Sequence, residues 1–178
     1  LGDVYKRQHL YRFTPEDNKE AQKLFSQANK IASDFSPAMS ALTHALYYEY
    51  MHGYTDKDRN KLLSDAFQIS RNAIAADERD ADAHFAIGRI LYLRQDLNSS
   101  KAEFETAISL NPNFSHAYLG LGGALVFNGE FSRCIEVCDH ALRLSPKDPI
   151  HWLLFTVKGM ALLCLDEHQL AARALQHA

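Results

Sequence analysis

The sequence is poor in the residues that punctuate or staple a chain. Five prolines and eight glycines in 178 residues are too few for a collagenous or disordered chain. Three cysteines cannot build a disulfide framework, so a reducing, cytoplasmic setting is the expectation. No charge dominates. Nineteen Lys and Arg stand against 22 Asp and Glu, a net charge of -3, which gives nucleic acid or an anionic membrane little to attract it. Long apolar runs are missing too. The longest, 152–165, has 14 residues and contains Lys158 and Gly159; a membrane span needs about 20, so the run reads as a core helix.

What the chain does have is a period. Residues 81–114 and 115–148, 34 each, superpose without a gap. His84 falls on Tyr118, Ile87 on Leu121, Gly88 on Gly122 and Leu91 on Leu125. Further on, Ser100 meets Cys134, Phe104 meets Cys138, Ala107 meets Ala141, Leu110 meets Leu144 and Pro112 meets Pro146. The small members of this series let two helices approach closely, and the large ones fill the space around the contact. Pro112 and Pro146 stop a helix, and Asn128-Gly129 breaks the hairpin between its two helices. The pattern resembles the tetratricopeptide repeat family, with an aromatic, Leu-Gly, Ala, aromatic, Ala and Pro at fixed offsets. That resemblance implies an all-α fold, an α-solenoid of nine or so antiparallel helices stacked as hairpins in a right-handed superhelix.

Around the central pair the match loosens. Residues 1–8 fit nothing downstream and are read as a non-native lead. Residues 9–35 form a partial unit, a second helix alone, with Thr14 as N-cap and Pro15 at its first position. Residues 36–80 form a hairpin of helices over 37–51 and 60–76, whose loop 53–58 carries an insertion. Residues 149–178 begin a divergent or truncated repeat with Trp152 at the aromatic position and a first helix about one turn longer than usual. The chain's two ends fit a segment of a longer polypeptide. Phrases such as Ala107-Ile-Ser-Leu-Asn-Pro112 are similar to repeat regions attached to bacterial adenylate cyclases or winged-helix regulators, which implies a signalling assembly role as the alternative to a free-standing adaptor.

The family resemblance also implies a ligand surface, a groove lined by the first helix of each hairpin. Carried onto this sequence, the groove residues are His44, Tyr47 and Tyr48, then Phe85, Arg89 and Tyr92, then His116, Leu119, Val126 and Phe127, then Leu153 and Val157. Ser40, Asp82, Gly123 and Met160 lie among them. Tyr, Phe and Arg carry much of the energy at protein interfaces, so the expected partner is a protein or a peptide, with self-association a further possibility. Core packing between hairpins competes for the same aromatics, and Tyr47 and Tyr48, being adjacent, are not expected to point inward together. Family members that clamp a terminal carboxylate do so with Lys and Asn. Here His44, Arg89 and Gly123 stand at the Asn-type positions without a flanking Lys, and Arg89 alone cannot rebuild that clamp.

Chemistry is scarce. No HExxH, CxxC or phosphate-binding Gly loop occurs, and Gly120-Leu-Gly-Gly123 follows no strand. Cys134 and Cys138 lie on one helix face, but they occupy packing positions and read as small buried hydrophobes, as does Cys164. His44 and His52 are two turns apart, too far for one ion. Asp77-Glu-Arg-Asp80 reads as a solvated linker. No nucleophile, base and orienting group can be assembled, so neither catalysis, a metal nor a cofactor is expected.

Overall fold

Short side chains start the helices. In a computed structural model that describes residues 14–54, 58–144 and 151–178, Thr14 Oγ1 accepts the Asp17 amide hydrogen at 3.1 Å and Pro15 opens helix α1, Pro15–Ile31. Asp58, Asp80 and Asp96 cap three further helices in the same manner, accepting from Asn60, Asp82 and Ser99. Each satisfies an amide that would otherwise be orphaned at the helix start. The described residues form nine helices and no strand. The expectations about residues 1–8 and 9–13, about loop residues 55–57, and about Pro146 and Pro149 fall outside the described residues.

The helices divide into two compact units, with the division between Arg94 and Gln95. In the first, α1 is followed by α2 (Ser36–His52), α3 (Arg59–Ala76) and α4 (Ala81–Leu93). Each helix packs on the next, and α2 also packs on α4. Ala21 and Phe25 of α1, Ala41, Leu42 and Leu46 of α2, Leu62 and Ala66 of α3 and Ile90 of α4 make one core cluster. Buried polar ties fix the register. Asn18 Nδ2 donates to the Ala45 carbonyl at 2.9 Å, Gln22 Nε2 to buried Glu49 at 2.8 Å, and Ser36 Oγ to Asp80 Oδ2 at 2.6 Å. Asp80 is thus no solvated linker residue: one oxygen caps α4 and the other ties it to the start of α2.

The second unit contains α5 (Leu97–Leu110), α6 (Ser115–Phe127), α7 (Phe131–Leu144), α8 (His151–Cys164) and α9 (His168–Leu175). Again neighbours pack in chain order, and α6 packs on α8. Glycine makes these contacts close. A Cβ on Gly120 would lie 2.6 Å from the Phe104 ring, and one on Gly122 3.1 Å from Cys138 Sγ and 3.3 Å from Val157 Cγ1.

The turns repeat as well as the helices. One left-handed residue follows α4 and one follows α6, Gln95 (φ 63°) and Gly129 (φ 80°). Between hairpins, Asp77 and Asn111 each accept the amide hydrogen two residues on, at 2.9 and 3.2 Å. In the last hairpin the left-handed residue is Asp166, 37 positions after Gly129 rather than 34. The same shift relates other pairs. Gly122 faces Cys138, and Gly159 faces Leu175. The Tyr118 ring lies 4.9 Å from His140, and the Phe155 ring 5.3 Å from His177. The expected placement of Trp152 at the aromatic position is therefore corrected. Phe155 holds that position and Trp152 is 53% exposed. The end of α8 follows the same shift: Cys164 stands 37 residues after Phe127, the last residue of α6.

Candidate functional site

Packing of α2 against α4 brings six of the expected groove residues together in the first unit. Arg89 lies at their centre. Its guanidinium carbon sits 3.4 Å from the centroid of the Tyr47 ring, 4.8 Å from that of Tyr48 and 5.3 Å from that of Phe85. Tyr47 and Tyr48 both lie beside this one cation, each partly exposed. They meet edge to face, 5.5 Å apart, and address the cation from two directions. A cation held over an aromatic face gains roughly 0.5–2 kcal/mol. Tyr92 completes the group: burial first, and the nearby Tyr47 hydroxyl second, push its phenol above the ordinary range.

A hydrogen-bonded relay fixes where the arginine points. Arg89 Nη1 donates to His44 Nδ1 at 3.2 Å. A guanidinium has no lone pair with which to accept, so Nδ1 is the bare nitrogen of a neutral imidazole. The hydrogen is on Nε2, which gives it to Asp82 Oδ1 at 3.1 Å. Both ring nitrogens are thus committed, and His44 cannot act as a general base while the relay stands. Its ring also lies 5.4 Å from Phe85. Arg89, Tyr47, Tyr48 and Tyr92 are all partly exposed, whereas His44 and Phe85 are buried.

Beyond Tyr48 the rings continue along α2. His52 stacks on Tyr48 at 6.1 Å and on Tyr54 at 5.1 Å. Its role is stacking, and the i, i+4 spacing from Tyr48 would have revealed it. The pairing of His44 with Asp82 carries no such local signal, because 38 residues separate them.

The second unit's expected groove residues are more dispersed in environment. Phe127 is 59% exposed, Val126 is buried, and His116, Leu119 and Leu153 are partly buried. Val157 packs against Gly122, a contact between α6 and α8. Cys134 and Cys138 are fully buried with their sulfurs 4.0 Å apart. The hydrogen bond to Cys134, then burial, hold the Cys138 thiol far above its usual range, as neutral core side chains require. Among the described residues no three His, Cys, Asp or Glu side chains converge as metal ligands, and no helix is long and apolar enough to cross a membrane.

These features define a helical-hairpin repeat protein with a polar aromatic cluster on its first helices. Residues 81–114 and 115–148 each match the tetratricopeptide repeat model, so the chain carries tetratricopeptide repeats. Solved structures share the fold. TTC0263, a thermophilic tetratricopeptide repeat protein of Thermus thermophilus, matches with a TM-score of 0.73 at 16% identity, over 100% of this chain and 92% of that one. MamA matches at 0.68 and 18%, over 99% and 91%. YrrB, described as having an unusual peptide-binding site, matches at 0.63 and 16%, over 91% and 76%. No curated protein matches the sequence.

Proposed function

We propose that this chain is a protein-interaction module without chemistry of its own, working in the cytoplasm and holding a peptide or protein surface against the first helices of its hairpins. The observation that carries the reading is the half-exposed cluster of Arg89 with Tyr47, Tyr48 and Tyr92. Arginine and tyrosine are the types most enriched among residues that dominate binding energy, and here packing and the His44 relay hold them in place before any partner arrives. YrrB's peptide-binding site supports the same reading by similarity of fold. In the second unit, Phe127 is an exposed aromatic at one of the expected groove positions. The test is capture of a partner from lysate by the wild-type chain and by a Tyr92→Ala/Phe127→Ala variant of matched melting temperature. Loss of a specific partner in the variant supports the module reading, and equal capture by both sinks it.

A second reading, assembly within a larger signalling protein such as a cyclase or a transcriptional regulator, is favoured by one feature. Leu163, Leu165, Leu170 and Leu175 of α8, α9 and the turn between them are each exposed, and exposed apolar side chains are what an assembly contact would cover. Sedimentation that shifts with concentration for the wild type, and not for a Leu163→Ser/Leu170→Ser variant, is the result this reading expects.

A further inference from the structure

The arginine in the first unit is aimed but not consumed. Of the five hydrogens on its guanidinium, the described residues take only one on Nη1, for His44 Nδ1. The remaining contacts of the group are ring faces, which leave the planar edge made by Nε and Nη2 to other partners. That edge offers two parallel N–H donors at the spacing of the two oxygens of a carboxylate. The group is also pre-oriented, since Tyr47 fixes its plane and His44 its rotation. On α4, Asp82 is engaged by His44 Nε2, and the one acid of α2, Glu49, is buried and accepts from Gln22 on α1.

We propose that Arg89 is a receptor for a single acidic side chain, Glu or Asp, presented from within a bound peptide, with His44 as the residue that positions it. This rests on the module reading above and names the chemistry of its partner. One bidentate cation suits one carboxylate. The rings of Tyr48, His52 and Tyr54 continue from the site along the end of α2, where chain that continues past the acid has side-chain surface to meet. A peptide ending at its carboxylate would leave that surface unused.

The experiment uses three peptide libraries with identical random flanks, passed over the immobilised full chain. The first has a central Glu with blocked ends, the second a central Gln with blocked ends, and the third a central Gln with a free C-terminal carboxylate. The expected result is at least fivefold enrichment of the first over the other two, lost in Arg89→Lys, which keeps the charge but not the fork. Because a variant can fail for want of folding, the wild-type Arg89 Nε–H resonance is followed as well, and the Glu pool should move it while the Gln pool does not. His44→Gln, folded by circular dichroism, should weaken Glu selectivity without abolishing retention. Equal retention of all three libraries, lost in the Tyr92→Ala/Phe127→Ala variant, leaves the module reading standing and overturns the carboxylate receptor. Enrichment of the third library alone also overturns it. Retention of nothing removes both.

Discussion

At the scale of single residues, glycine does two unlike jobs here, and mutation separates them. Gly129 is needed for its backbone, with φ 80° and open space around a hypothetical Cβ. Gly120 is needed for its size, because Phe104 is buried and its ring blocks the Cβ position. Gly129→Gln should cost about 1 kcal/mol, the penalty of a left-handed non-glycine residue less the gain in chain stiffness. The change is tolerable, since Gln95 already takes this conformation one repeat earlier. Gly120→Ala should cost a net of about 0–2 kcal/mol, that is about 1–3 kcal/mol of overpacking less about 1 kcal/mol of helix propensity gained. Urea denaturation of both variants measures the two costs. A Gly120→Ala variant as stable as wild type would mean that the Phe104 ring gives way freely.

Glu130 makes a residue-scale prediction about pH. Its hydrogen bond to Lys101, helped by Asn128 and Arg133, holds its carboxyl down to about 2 from an ordinary 4.5. A depressed carboxyl stabilises the fold at pH above its unfolded value, and that contribution is lost as pH falls through the folded one. Between pH 4.5 and about 2 the wild type should therefore lose stability faster than Glu130→Gln does. The difference should shrink in high salt, because these groups are partly exposed. Parallel slopes for the two proteins across that window would remove Glu130 from the account.

At the scale of the element, the two central repeats were legible because 34-residue spacing, small-residue sites and turn prolines all agree. Caps such as Thr14 were legible for the same local reason. The last hairpin was misread because Trp152 is a large aromatic standing at the expected offset, and composition outvoted register. The structure distinguishes the two by contacts: Phe155 meets His177 as Tyr118 meets His140. Phe155→Ala should accordingly cost about 1–3 kcal/mol, a partly buried aromatic truncation, whereas Trp152→Ala should stay within about 0.5 kcal/mol. Thermal melts of the pair decide between the registers, and a larger loss at Trp152 would restore the 34-residue spacing. In the candidate site, the relay was not legible in the sequence. Asp82, His44 and Arg89 meet only through the packing of α2 on α4, a contact 38 to 45 residues long in sequence.

At the scale of the whole molecule, a repeat chain has no single global core, so its stability is set locally by what each hairpin buries. The hairpins are unequal in this respect. Phe25, Ile90, Phe104 and Leu125 are almost wholly buried, as is Leu154 in α8. Helix α9 has eight residues, of which only Ala171 and Ala174 are buried, while its Leu170 and Leu175 remain 47% and 40% exposed. An alanine contributes little transfer energy, roughly one methyl group's worth or about 0.8 kcal/mol, against the conformational entropy of a whole two-turn helix. Helix α9 should therefore open well below the global unfolding free energy. Native-state hydrogen exchange is the direct measurement. The α9 amides should exchange at least tenfold faster than those at the centre of α6, with a smaller denaturant dependence that marks partial opening. Matching rates and slopes in α6 and α9 would mean instead that the second unit unfolds as one cooperative body, and that the exposed leucines are covered in solution by a contact strong enough to hold the short helix down.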